Sequence, residues 1–220
     1  RECGVPPEPF DAFLRAVMGL AEGAGPGSSL ARTYRQAMIE RRRLLADTPA
    51  KDRCLTLMAP ALADAERAIV FTQSIAVAER ACRTLSATGL RVAAIHSHLA
   101  GPLRRQTLAA FAAGELDVIT APRVLDEGID VPAADLAVIV GASRSRRQMV
   151  QRMGRILRRK PDGRRARFVV LFVEGTVEDP RGGAHEAFLE EIVDVADEVL
   201  CFTPGILAGG QDELLQALRP

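Results

Sequence analysis

From Arg67 onward, short apolar runs alternate with amphipathic stretches, and this alternation constrains the fold more than any other feature of the chain. "RAIVFTQ", "RVAAIH", "DVITA", "ADLAVIVGA" and "ARFVVLFVEG" are each strand-length and rich in β-branched or aromatic residues. Between them, "VAERACRTLSATG" has a helical period and ends at Gly89. "PLRRQTLAAFAAG" begins with a proline where a helix accepts one and stops at Gly114. Strands that alternate with helices predict an α/β fold with a parallel sheet flanked by helices on both faces, and near-continuous apolar strands fit that burial. Such sheets bind ligands outside the carboxyl ends of their strands, so chemistry is expected in the residues just after each run.

The part before Arg67 reads differently. "EGAGPGSS" is a loop between two helical stretches, "SLARTYRQAMIERRRLLAD" repeats apolar residues near a helical period, and "AKDRCLTLMAPALADA" continues in that style. The expected organisation is an N-terminal helical extension over 1–64, a linker or inserted region, followed by the sheet domain over 65–220 with acidic C-terminal helices. With 220 residues the chain is long enough to bury a core without covalent staples. Cys3, Cys54, Cys82 and Cys201 form no C-x-x-C pair, which points away from a zinc site or disulfide framework and toward a reducing compartment. No apolar run reaches about 18 residues, so the expectation is a cytoplasmic protein with no membrane partner. The first residue is Arg1 rather than Met, which hints at a fragment.

A formal net charge of +1 conceals a strong polarity. Between Gly141 and Arg167, eleven basic side chains face Asp162 alone; after Phe168, Arg181 and Arg219 oppose eleven acids. Two solvated faces of a bipolar domain would explain this, but the pattern inside the basic block argues for more. In "RRQMVQRMGRILRRK", residues 146–160, a helical projection puts Met149, Met153, Ile156 and Leu157 on one side. Gln151, Arg155 and Arg158 share a sector of about 60° on the other. A merely solvated face mixes acids with bases to gain pairing at i and i+4, and this one has no acid. Unrelieved arginine repulsion points to an external anion, and the planar arginine fork suits phosphate. Gly154 costs a helix about 1 kcal/mol relative to alanine, which a closely approaching ligand or backbone would explain.

Written as Q-x-x-G-R-x-x-R, this stretch resembles motif VI of the superfamily 2 helicases of DEAD/DEAH type. "SRRQMVQRMGRILR" is most similar to the DNA-translocating members of the XPB and type III restriction-subunit kind. The resemblance extends to "VITAPRVLDEGIDVPAADLAVIV", similar to motif V, and to "IVFTQS", similar to motif IV. "IHSHLAGPLRRQTLAAFAAGELDVI" matches the segment between those two, in the family's order. It covers Arg67 to about Val177, half the chain. It implies a RecA-like C-terminal motor lobe in which Arg155 and Arg158 act as arginine fingers on the γ-phosphate of ATP. Gln151, Gly128 and Asp130 would then lie at the nucleotide, Asp130 accepting a ribose hydroxyl. Thr72, Gln73 and Ser74 would contact the nucleic-acid backbone, and Thr120 would offer its hydroxyl to a phosphate.

The departures are specific. Ala121 stands where many relatives have a second hydroxyl residue, and His96-Ser97 replaces the commoner His-Gly. His96 and His98 lack a carboxylate or cysteine partner nearby in sequence, so no metal site is expected. No G-x-x-x-x-G-K-[ST] loop is present, Lys51 and Lys160 being the only lysines, and no D-E-x-[DH] motif is available to hold magnesium. ATP and Mg2+ are therefore expected to be bound mainly by an N-terminal RecA-like lobe, a partner of this one, and the chain alone is not expected to hydrolyse ATP. The expected nucleic-acid partner is DNA, with RNA as the alternative, gripped through phosphates and with little base stacking because aromatic residues are few. The competing readings are a non-catalytic RecA-like interaction module and a different phosphate-handling enzyme.

Overall fold

A computed structural model describes residues 10–122, 134–140, 166–179, 196–202 and 211–219. It falls into two compact units, Arg1–Leu45 and Ala46–Pro220. In the first, helix α1 (Phe10–Glu22) and helix α2 (Ser28–Ala46) are joined by the glycine-rich loop read from the sequence, with Gly27 at φ 84° turning the chain. Val17, Ala21 and Ala31 are buried between them, and Phe13 meets Tyr34 edge to face at 5.5 Å.

The second unit is built on five parallel strands, the RecA-like α/β arrangement expected. They are β1 (Ala68–Thr72), β2 (Val92–Ala94), β3 (Val118–Pro122), β4 (Leu136–Val140) and β5 (Arg167–Leu171), in the spatial order β2-β3-β1-β4-β5. Side chains alternate across a strand, so each strand feeds two cores. Val70, Val118 and Val138 belong to one core, with Val77, Ala81 and Leu85 of α5 (Ile75–Ser86). Ile69, Phe71, Ile119 and Ile139 belong to the other, with Phe111 of α6 (Gly101–Ala112). The connections β1-α5-β2 and β2-α6-β3 run in opposite directions across the sheet, and right-handed crossovers put their helices on opposite faces.

Helices α3 (Pro49–Leu57) and α4 (Ala59–Asp64) lie within 1–64 and pack Leu55, Met58, Ala61 and Leu62 into the α5-side core. The single helical run read over "AKDRCLTLMAPALADA" divides at Met58, which ends one helix and begins the next. Pro60 explains the break, since it has no N–H for the preceding turn and its ring clashes with the carbonyl four residues back. A short helix, α7 (Gln211–Ala217), adds Leu214 to the same core, and Leu218 joins it just past the helix end.

The amino ends of the strands are closed by polar groups. Arg167, at the start of β5, donates from its guanidinium to Asp135 at 2.8 Å and to the Leu218 carbonyl, and both charged residues are buried. Asp135 also accepts the Arg67 amide at 3.0 Å. The Arg67 guanidinium in turn donates to the carbonyls of Phe111 (2.9 Å) and Ala112 (2.6 Å), placing a cation on the C-terminus of α6 where the helix dipole favours one.

Candidate functional site

Register puts the motif-bearing segments side by side. Thr72, the last residue of β1, is level with Pro122 of β3 on one side and Val140 of β4 on the other. The "IVFTQS" stretch therefore ends between two neighbours. Residues 123–133, which carry the G-I-D-V-P part of the motif V-like sequence, follow β3, and residues 141–165, which carry the motif VI-like sequence, follow β4. The onward connection of β1 leads toward β2 and that of β4 toward β5. Adjacent strands whose connections depart in opposite directions open a crevice at their carboxyl ends, the usual ligand position in such sheets.

At that crevice β1 turns directly into α5. Thr72 is buried, and its hydroxyl donates to the Ser74 carbonyl at 3.0 Å, which tightens the turn. Gln73 is half-buried and Ser74 exposed. Ser74 is the N-cap of α5: its Oγ accepts the Val77 amide at 3.3 Å, and its backbone is extended (φ −144°, ψ 161°). No acid occupies the first turn of α5, so the partial positive charge of the helix start is left uncompensated there.

Thr120 departs from its sequence reading. It is fully buried, and its hydroxyl donates to the Ala78 carbonyl at 2.9 Å, tying β3 to α5 rather than facing solvent. Thr120 is the middle residue of β3, two positions before its end, and its hydroxyl points to α5, so the hydroxyl is spent inside the fold. Thr72, Gln73 and Ser74 are brought to the strand ends together. Gly128, Asp130, Gln151, Arg155 and Arg158 lie outside the described residues.

Three polar clusters lie near this end of the sheet. Lys51 on α3 and Glu178, in the turn after β5, form an ion pair at 2.6 Å with both side chains 3% exposed. Burial pushes the Lys51 ammonium below its ordinary range, and Glu178 opposes that shift. The residues are 127 positions apart, so no sequence spacing announces the pair. Arg80 on α5 pairs with Asp47 and with Asp52, the latter at 2.9 Å, fastening α5 to α3. Beyond β2, the buried His96 lies 3.5 Å from Glu79 through Nε2, its Nδ1 unpaired, with the His98 ring perpendicular at 6.0 Å. Among the described residues, no group of three or more His, Cys, Asp or Glu is placed to hold a metal ion. Nor, among them, is any helix long and apolar enough to cross a membrane.

Comparison with known proteins agrees with this geometry. The chain is 35% identical over 113 residues to the DNA 3′-5′ translocase XPB2 of Sulfurisphaera tokodaii, a match covering 51% of this chain and 24% of that protein. It is 26% identical over 144 residues to the ATP-dependent rRNA helicase rrp3 of Sclerotinia sclerotiorum, covering 64% of this chain and 29% of the relative. The chain thus spans less than a third of the length of these relatives. Among solved structures, the C-terminal domain of the DEAD-box protein Dbp5 superposes with a TM-score of 0.60 at 18% identity, covering 79% of this chain and 92% of that domain, a likeness of fold. Residues 50–160, half of the 220, match the helicase conserved C-terminal domain, and the chain belongs to that family.

Proposed function

We propose that this chain is the second motor lobe of an ATP-dependent DNA helicase or translocase. The supporting observation is that the segments resembling motifs IV, V and VI follow three adjacent strands, β1, β3 and β4, whose ends share one register level. A ligand outside those ends would meet all three. In this reading Arg155 and Arg158 reach across to a nucleotide held by a first lobe and stabilise the charge that develops on the transferred phosphoryl group. Gln151, Gly128 and Asp130 line the same nucleotide face. Gln73 and Ser74, held by the Thr72 turn, contact a nucleic-acid backbone at the start of α5, where exposed donors and the helix dipole favour phosphate. Thr120 supports that grip from beneath, through its bond to α5.

The first lobe supplies the phosphate loop and holds Mg2+, for which the described residues of this chain offer no donor cluster. DNA is preferred to RNA because the similarity to DNA-acting relatives is greater, 35% over 113 residues and 36% over 141, against 26% over 144 and 33% over 90 for RNA helicases. Cycles of lobe closure on ATP and opening after hydrolysis would move the pair along one strand.

The deciding experiment is ATP turnover of a polypeptide that joins this lobe to its phosphate-loop lobe, with and without single- and double-stranded DNA and RNA. The Arg155→Ala/Arg158→Ala variant runs beside it. The expected result is DNA-stimulated turnover, lowered in the variant by 10³-fold or more, on the order of an arginine finger's usual worth. Turnover left intact by the variant would remove the finger assignment and favour the non-catalytic interaction module.

A further inference from the structure

Helix α2 carries a cationic face that the motor reading does not use. Its sequence, SSLARTYRQAMIERRRLLA, contains five arginines and the single acid Glu40. Ala31 is buried and Tyr34 packs with it against α1, and Met38 is buried on the same side of α2, which fixes the inward side of the helix. At about 100° per residue, Arg32 and Arg43 then project away from that side and Arg35 lies at its border, all three within about 80° of one another. Arg32 and Arg43 are exposed and Arg35 is half-buried. Among the described residues, no carboxylate lies within ion-pair distance of these three. Arg32 is oriented by bonds to the Gly23 carbonyl (3.1 Å) and the Ser28 hydroxyl (3.2 Å), both neutral acceptors, so its charge is uncompensated.

We infer that this face of α2 is a second binding site for a nucleic-acid backbone. Arg32 to Arg43 spans about 16 Å along the helix, a length over which one strand of a duplex carries about five phosphates. Exposed Ser29, Thr33 and Gln36 border the arginines with neutral hydrogen-bonding groups of the kind that complete phosphate contacts. An acidic protein surface is the competing occupant, but the face has no aromatic anchor. Its one large apolar residue is Ile39, at 51% exposure, whereas protein interfaces concentrate their energy on buried Trp, Tyr and Arg. Arginine forks without an apolar centre fit a polyanion. The site lies in the first unit and needs no ATP, so it stands or falls separately from the motor reading.

The test is equilibrium binding of the 220-residue chain, without nucleotide, to a fluorescein-labelled twenty-base dT strand and a twenty-base-pair duplex between 50 and 200 mM KCl. The Arg32→Gln/Arg35→Gln/Arg43→Gln variant keeps helix-compatible side chains and removes three charges. Arg53→Gln/Arg83→Gln/Arg219→Gln removes the same charge elsewhere, and circular dichroism checks that both variants fold. The α2 variant is expected to shallow the slope of log K against log salt by about 2 for the single strand and about 2.7 for the duplex, from three lost phosphate contacts. The control should change it far less. Equal slopes for the two variants, or no binding by the parent chain at 50 mM, overturn the inference. So does a variant that loses binding to a polyglutamate peptide while keeping its DNA slope, which would assign the face to an acidic protein.

Discussion

The two ends of the sheet use polar residues in opposite ways. At the amino ends, Arg67, Asp135 and Arg167 bond to one another, to carbonyls of the fold and, for Arg67, to the neighbouring Glu66 carboxylate. At the carboxyl ends, Thr72 and Ser74 shape a turn whose outer groups stay accessible, and the two neighbouring strands lead into the motif-bearing segments. One end is closed by the fold itself; at the other, Ser74 stays exposed at the start of α5. Substitutions should divide accordingly, stability without function at the first end and function beyond stability at the second.

The largest effect is expected from Asp135→Ala, which leaves the buried Arg167 guanidinium without its carboxylate. A loss of about 3–5 kcal/mol in urea unfolding is expected, with nucleic-acid affinity per folded molecule unchanged. An affinity that fell with stability would erase the contrast. Lys51→Met should cost a similar amount, about 3–5 kcal/mol, by stranding Glu178, and Lys51→Met/Glu178→Leu should recover most of it. A double variant as unstable as the single would show that the turn after β5 needs the charge itself. Next, Ser74→Ala removes the α5 cap and should cost about 1 kcal/mol; here nucleic-acid binding should fall further than the stability loss explains. Ser74→Asp, which restores the cap but adds negative charge, should recover stability and weaken phosphate binding further, separating the two roles.

The smallest effect concerns Asp117, bonded to Arg91 near the amino ends of β2 and β3. Hydrogen bonds from Arg91 hold the Asp117 carboxyl below the ordinary aspartate range. A folded-state value below the unfolded one means that this pair's contribution is complete above the unfolded pKa and disappears as pH falls through the folded one. Asp117→Asn should therefore cost a little stability at neutral pH, where the pair contributes in full, and nothing at acid pH, so that the acid limb of the stability profile flattens slightly; the effect is small because Arg91 is exposed. A large change at pH 7 would move Asp117 into the class of Asp135.

What the sequence revealed follows from the range of the interactions involved. The five strands and the helices α5 and α6 were legible because apolar runs, Pro102 at a helix start and Gly114 (φ 78°) at a helix end are local signals. The division at Met58 depended on Pro60 overriding an otherwise continuous helical period. Sheet order was not legible, because alternation says only that strands are parallel and not which are neighbours. The inward direction of the Thr120 hydroxyl was equally hidden: a motif fixes a residue's position in the chain, while Ala78, which accepts its bond, is 42 positions away. Lys51 and Glu178 show the same limit for a charge pair.

The strand order β2-β3-β1-β4-β5 also sets a schedule for assembly. During synthesis β1, α5, β2, α6 and β3 emerge first and can pair among themselves, but the other edge of β1 has no partner until Leu136–Val140 follows. Until then the fully buried-type sequence Ala68–Thr72, AIVFT, presents an open row of backbone donors and acceptors. It carries neither charge nor proline to discourage pairing with another chain. A translation pause between β3 and β4 should favour aggregation, and a pause after β5 should not.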